Sequence, residues 1–190
     1  MSEIEIAKKI ILSGGLVVYP TDTLYALGCN ALNEKAILRV YEVKKRPLSK
    51  PLPIAVASLE MMKRYAYVDE RAEKLAKKFL PGALTLVLKK KETLPKVLTS
   101  GLDKVAIRIP AHKLALKLIE SLDLPLVTTS ANISGKAPPA SVEEVKIKAD
   151  YIINGGKLEG TPSTIADLTS AKPRILRRGK IDERRILELL

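Results

Sequence analysis

Three prolines and four cations fall within the ten residues from Lys44 to Pro53. Each proline locks its own φ and pushes the residue before it out of helix, so Arg46, Lys50 and Leu52 are held in extended backbone. Regular helix cannot run through such a segment, which must form a stiff loop between two elements. No acidic residue lies between Glu42 and Glu60 to neutralise it. A stiff loop carrying unpaired cations suits an anionic ligand, because little entropy is lost when it engages one. A merely solvated basic loop is the blander reading, and the rest of the chain has to decide between them.

On either side of this loop the periodicity alternates between helix and strand. Ser2-x-x-Glu5 reads as a capping box that opens a helix with Ile4, Ala7 and Ile11 on its buried face and Gly14-Gly15 as its stop. Leu16 to Tyr19 is a short apolar run, hence a buried strand, followed by a turn at Pro20-Thr21-Asp22-Thr23. Asn33 caps a second helix that ends near Val43 and delivers the chain into the basic loop. Strands are expected at 54–57, 84–88, 105–109, 126–129, 151–153, 164–168 and 175–177. Helices are expected at 61–65, after Asp69, at 111–122, after Ser141 in a second capping box with Glu144, and after Asp182. Strands and helices alternate early, and strands crowd together late. That order predicts one α/β domain over residues 1–190, a twisted mixed parallel and antiparallel sheet flanked by helices, with ligands bound in polar loops at strand ends.

Composition narrows the function. The net charge is +12, which favours anionic partners such as nucleotides and predicts weak RNA binding. One Cys and one His exclude a disulfide framework and argue against a Cys/His zinc site. No signal-peptide core and no apolar run long enough to span a bilayer are visible, so a cytoplasmic protein without membrane attachment is expected. No G-x-x-x-x-G-K-[ST] or G-x-G-x-x-G occurs, since the Gly-Lys pairs at 135, 156 and 179 are followed by Ala, Leu and Ile. A Ser-His-Asp hydrolase would have to use His112 and shows no G-x-S-x-G elbow.

What remains is cations and neutral hydroxyl donors at loop and strand-end positions. Thr21 and Thr23 flank Asp22. Lys44, Arg46 and Lys50 lie in the basic loop. Arg108 stands on a strand opposite Val105, Ile107 and Ile109. Thr128, Thr129, Ser130 and Asn132 follow another strand, and Ser163, Thr164, Arg177 and Arg178 come late. Singly, each hydroxyl would satisfy a turn and Arg108 would be a structural ion pair. Together they describe a site for phosphate and carboxylate, without the acid–base pair of a glycosidase or protease.

These residues resemble a known family. Lys44-x-Arg46 with Ser130-x-Asn132, preceded by the run from Pro20 to Gly28, is similar to the YrdC-like threonylcarbamoyl-AMP synthases. The likeness continues through Leu80–Thr85, Val105–Pro110, Ser163–Ile165 and Leu176–Gly179, in the expected order along nearly the whole chain. The resemblance implies a concave positive cavity and a reaction that joins L-threonine, bicarbonate and ATP into threonylcarbamoyl-AMP and pyrophosphate. It also implies a tRNA-modifying threonylcarbamoyl transferase as partner, and Mg2+ with the triphosphate, for which no protein ligand can be named. By motif position, Lys44 and Arg46 would be catalytic. Arg46, Lys50, Lys104, Ser130, Asn132, Pro138 and Arg177 would bind ATP, and Thr23, Arg108, Thr128 and Ser163 would bind threonine.

Two positions depart from longer members: Ala55 stands where many have His, and Pro162 where many have Glu. Those members carry a linker and a second domain, which this chain is expected to lack. Two other readings compete. A non-catalytic RNA-binding module is weakened by scattered aromatics, six Tyr and one Phe. A carbamoyl-adenylate-forming domain of the hydrogenase-maturation type is weakened because its usual accompanying domains are absent.

Overall fold

The Ser2 hydroxyl accepts from the Glu5 amide while the Glu5 carboxylate accepts from the Ser2 amide, so the capping box forms as its spacing predicts. It opens helix α1 (Glu3–Leu12) in a computed structural model that describes residues 1–190. Asn33, Ser58 and Asp69 likewise cap α2 (Glu34–Lys44), α3 (Leu59–Tyr65) and α4 (Glu70–Phe79) through their side chains. α5 (Lys113–Leu122) begins after His112 without a side-chain cap, and Asp182 caps α6 (Glu183–Leu187). α2 stops where Lys45 turns left-handed at φ 49, one residue before the proline-restricted Arg46.

Ten strands form two sheets rather than the single sheet that the pattern predicts. β1 (Val17–Pro20), β2 (Tyr25–Gly28), β7 (Thr129–Ser130) and β8 (Tyr151–Ile152) make the smaller one, in the order β7-β2-β1-β8. β3 (Ile54–Ala55), β4 (Leu84–Lys89), β5 (Lys104–Arg108), β6 (Leu126–Val127), β9 (Thr164–Asp167) and β10 (Arg174–Arg177) make the larger one, in the order β10-β9-β4-β5-β3-β6. Antiparallel and parallel pairings alternate across the larger sheet, and the smaller also mixes the two. The division falls within one extended segment. Leu126 and Val127 pair with β3, Thr129 and Ser130 pair with β2, and Thr128 sits at the crossing with its amide bonded to the Pro53 carbonyl at 2.9 Å.

Two local features went unread in the sequence and one expectation needs correction. Tyr25–Gly28 is a strand, returning antiparallel from β1 through the tight Thr21–Leu24 turn. The late strand at 151–152 leaves its sequence neighbours and lies parallel to β1. The helix expected after Ser141 is only a single 3-10 turn, Val142–Glu144. Glu144 reaches past the cap position to the Ala140 amide at 2.6 Å, and Ser141 makes no capping bond.

One contiguous apolar core runs from Ile4 to Ile186 and is built mostly from Leu, Ile, Val and Ala, with Tyr19, Tyr25, Tyr41, Tyr65, Met61 and Met62 among them. In the larger sheet Leu84, Leu86, Leu88, Val105, Ile107 and Ala166 point into it. Strand alternation therefore turns Thr85, Val87, Lys104, Ala106, Arg108 and Ile165 to the opposite face. That second face carries the candidate site.

Candidate functional site

The second face of the larger sheet forms the floor of a cleft of about 440 Å³. The Thr21–Leu24 turn, the basic loop with Arg46 and Pro51–Pro53, the crossing segment 128–130, Pro138, and Arg177 at the end of β10 close its sides. Nine of the twelve residues given catalytic or binding roles from the sequence line this one cleft: Thr23, Arg46, Lys104, Arg108, Thr128, Ser130, Pro138, Ser163 and Arg177. Lys44, Lys50 and Asn132 do not. Four cations and no carboxylate line the walls, so the cleft concentrates positive charge in partly desolvated surroundings.

Arg108 is held from three sides. Its Nη1 donates to Thr23 Oγ1 at 3.1 Å, and its Nη2 donates to Asp22 Oδ1 at 2.6 Å and to the Gly82 carbonyl at 3.1 Å. The ion-pair reading of Arg108 is therefore correct, and Asp22 is the partner that the sequence left unnamed. Burial pulls the guanidinium below its ordinary range, and the Asp22 carboxylate opposes that pull. Nε remains buried without any protein partner. Buried donors are nearly always satisfied, so an orphan on a cleft wall marks where a ligand acceptor belongs. Fixed on a strand and braced by a carboxylate, this Arg holds its charge at the cleft floor in one orientation.

Lys44 does something other than line the cleft. Its side chain is wholly buried, and its ammonium donates to the Ser130 carbonyl and, at 2.6 Å, to the Asn132 carbonyl. The Lys44 carbonyl also accepts from the Ser134 amide at 2.8 Å. The end of α2 thus clamps the loop that presents Ser130. Burial, and secondarily Arg46, lowers the Lys44 pKa to about 8. Asn132 serves the same loop, its side-chain amide donating to the carbonyls of Ile133 and Lys136 at 3.1 and 2.6 Å. Lys50 is exposed, and its carbonyl accepts from Arg46 Nε at 2.9 Å. Arg46 also donates from Nη2 to the Pro51 carbonyl at 2.8 Å, so one guanidinium stiffens its own loop while facing the cleft.

At the other end, Arg177 donates from Nε to the Ser163 carbonyl and from Nη2 to Ser163 Oγ, both at 3.0 Å, and Ser163 Oγ lies 2.8 Å from Thr85 Oγ1. Burial and nearby Arg108 lower the Arg177 pKa. Gly179 permits this arrangement. A Cβ there would meet the Pro162 carbonyl oxygen at 2.3 Å and the Ser163 carbonyl carbon at 2.4 Å. Lys104 Nζ lies 3.0 Å from Asp167 Oδ2, and Asp167 is fully buried, also approached by Arg174 and by the Thr169 hydroxyl. Burial pushes the Asp167 carboxyl up, but hydrogen bonds from Thr169 and Lys104 outweigh it and hold it below the usual range. Asp22, Thr85 and Asp167 went unassigned in the sequence. The signal for Asp22 and Asp167 was the same: an acid next to buried strand residues must find a cation.

Comparison with known proteins bears on this geometry. Residues 9–179 match the family model Sua5/yciO/yrdC, which carries the description Telomere recombination. The threonylcarbamoyl-AMP synthase of Pyrococcus abyssi (strain GE5 / Orsay) is 49% identical over 183 residues, covering 93% of this chain and 54% of that protein. A putative threonylcarbamoyl-AMP synthase of Methanocaldococcus jannaschii is 44% identical over 184 residues, 94% of this chain and 86% of its own length. The crystal structure of P. abyssi Sua5 complexed with L-threonine superposes with a TM-score of 0.96 at 46% identity, covering 100% of this chain and 58% of that one. The chain thus spans about half the length of the P. abyssi protein.

Proposed function

This chain belongs to the Sua5/YciO/YrdC family, and from that premise we propose that it forms threonylcarbamoyl-AMP and pyrophosphate from L-threonine, bicarbonate and ATP. The observation that carries the reading is the convergence of Arg46, Arg108, Ser130 and Arg177, from four distant segments, on one cleft free of carboxylates. The P. abyssi relative crystallised with L-threonine supports threonine as the amino acid.

In the proposed reaction the threonine amine takes up the carbon of bicarbonate as a carbamate, with loss of water. A carbamate oxygen then attacks the α-phosphorus of ATP. The new O–P bond forms as the bond from that phosphorus to its bridging oxygen breaks, and pyrophosphate leaves. Such a step needs alignment and charge neutralisation more than proton transfer. The cleft supplies both. Arg108 takes the threonine carboxylate on its free Nε, with Thr23, Thr128 and Ser163 beside it. Arg46, Lys104, Ser130, Pro138 and Arg177 bind the nucleotide, and the Lys44 clamp keeps Ser130 in place.

Magnesium would accompany the triphosphate, but the residues here offer it no dedicated site. No cluster of three acidic, His or Cys side chains exists, and the nearest acids, Asp22 and Asp167, are bound to Arg108 and Lys104. No step is therefore assigned to it. The product would be consumed by a tRNA-modifying threonylcarbamoyl transferase. No helix is long and apolar enough to cross a membrane.

The test is pyrophosphate release from ATP, bicarbonate and magnesium with threonine, with serine, with carbamoyl phosphate, or with no addition. Release that depends on threonine is expected. Release on carbamoyl phosphate alone, or none with threonine, would overturn the reading.

A further inference from the structure

We propose that Thr85 is a specificity-determining residue. Its hydroxyl proton ends a directed chain from Arg177 through Ser163 and is offered to an acceptor oxygen at the amino-acid end of the bound substrate. This rests on the function proposed above.

Counting protons fixes the first link of the chain, and polarity sets the second. A guanidinium has only donors, so Ser163 Oγ must accept from Arg177 Nη2 at 3.0 Å. The oxygens of Ser163 and Thr85 are 2.8 Å apart and both residues are buried, so one proton must lie between them. Accepting from a cation polarises the Ser163 hydroxyl and makes it the better donor of the two. Ser163 therefore gives its proton to Thr85. Thr85 Oγ1 makes no other hydrogen bond, which leaves its own proton without a protein acceptor. Thr85 also lies on the cleft face of β4.

Thr23, on the facing wall, has the opposite polarity. Thr21 Oγ1 lies 2.7 Å from the Leu24 carbonyl, which can only accept, so Thr21 is the donor there. The contact of 3.0 Å between Thr21 and Thr23 must then take its proton from Thr23. Thr23 also accepts from Arg108 Nη1. It can offer a ligand only a lone pair. The inner end of the cleft thus holds an acceptor at Thr23 and donors at Thr85 and Arg108 Nε. That pattern fits an amino-acid derivative with N–H or O–H on one side and oxygens on the other.

Initial rates of pyrophosphate release, with threonine and ATP varied in turn, test this on Thr85→Val and Thr85→Ser. Thr85→Val, nearly isosteric, should raise KM for threonine about tenfold, the worth of one hydrogen bond, with KM for ATP unchanged. Thr85→Ser should restore it. Thr85→Ala substitutes for the valine variant if that variant melts below the wild type. A wild-type KM for threonine in the variant that removes the hydroxyl, or equal increases for both substrates, overturns the proposal while leaving the reaction intact. A wild-type protein without threonine-dependent release overturns both.

Discussion

Arg108 Nη2 lies 2.6 Å from Asp22 Oδ1, and the two side chains are only 7% and 12% exposed. The same oxygen accepts from the Ala111 amide at 3.0 Å, so one carboxylate ties β5 and the start of the α5 segment to the β1–β2 turn. Removing one partner of a buried pair leaves the other charge uncompensated, which typically costs ~3–5 kcal/mol. Asp22→Ala should lose stability on that scale in urea unfolding. Asp22→Asn keeps a carbonyl acceptor for both donors and should lose less. Equal losses in the two variants would show that the carbonyl acceptor counts for nothing and that the negative charge of Asp22 alone holds Arg108.

Lys44 makes stability depend on pH on the alkaline side, and comparison with a variant lacking its amine separates it from the other lysines. Its folded-state pKa is about 8, against an ordinary value of 10.5. Between those values the unfolded chain holds a proton that the folded chain has released, so stability from this group rises with pH. It is fully present above 10.5 and lost as pH falls through 8. The stability of wild type relative to Lys44→Met should therefore increase from pH 8 to pH 10, measured by urea unfolding at each pH. A constant difference would mean Lys44 keeps its proton throughout. The same variant should raise KM for ATP about tenfold, because the Ser130 loop loses its anchor.

These two residues also show what the sequence could and could not convey. Arg108 was legible because strand alternation alone turns it away from Val105 and Ile107, and the register in β5 obeys that period. Its partner Asp22 was not, since their approach depends on how the β1–β2 turn packs over the larger sheet. Lys44 was given a catalytic role beside Arg46 from its place in a cationic loop. Its actual partners, two carbonyls 86 and 88 residues away, exist only once the chain crosses between sheets at Thr128. Tyr25–Gly28 was missed for a similar reason: its four residues are buried on both faces and show no alternation to read. The helix expected after Ser141 failed because a capping-box spacing cannot report that Glu144 prefers the Ala140 amide.

Gly179 should tolerate no side chain. The contacts a Cβ would make, 2.3 to 2.6 Å from backbone atoms of Pro162 and Ser163, cannot be relieved by a rotamer change. The backbone at 162–163 would have to move, carrying Ser163 away from Arg177 and Thr85. Gly179→Ala should cost ~1–3 kcal/mol, typical of overpacking, and should raise KM for threonine more than KM for ATP. A fully active Gly179→Ala variant would indicate that the Ser163 position is not critical for the amino acid.

Arg46 bears two demands at once. Nε and Nη2 hold the carbonyls of Lys50 and Pro51 at 2.9 and 2.8 Å, while the side chain faces the cleft. Only a forked, planar cation can satisfy two loop carbonyls and still present charge to a phosphate. Arg46→Ala should lower kcat/KM for pyrophosphate release by about 100-fold or more, as loss of a single preorganised charge-stabilising donor typically does. Arg46→Lys restores the charge but not the fork, so it should recover only part of that loss, and the Tm of both variants should stay close to wild type because the residue lies outside the core. Full recovery by Lys would reduce Arg46 to a point charge, and recovery no better than Ala would assign its whole effect to the shape of the loop.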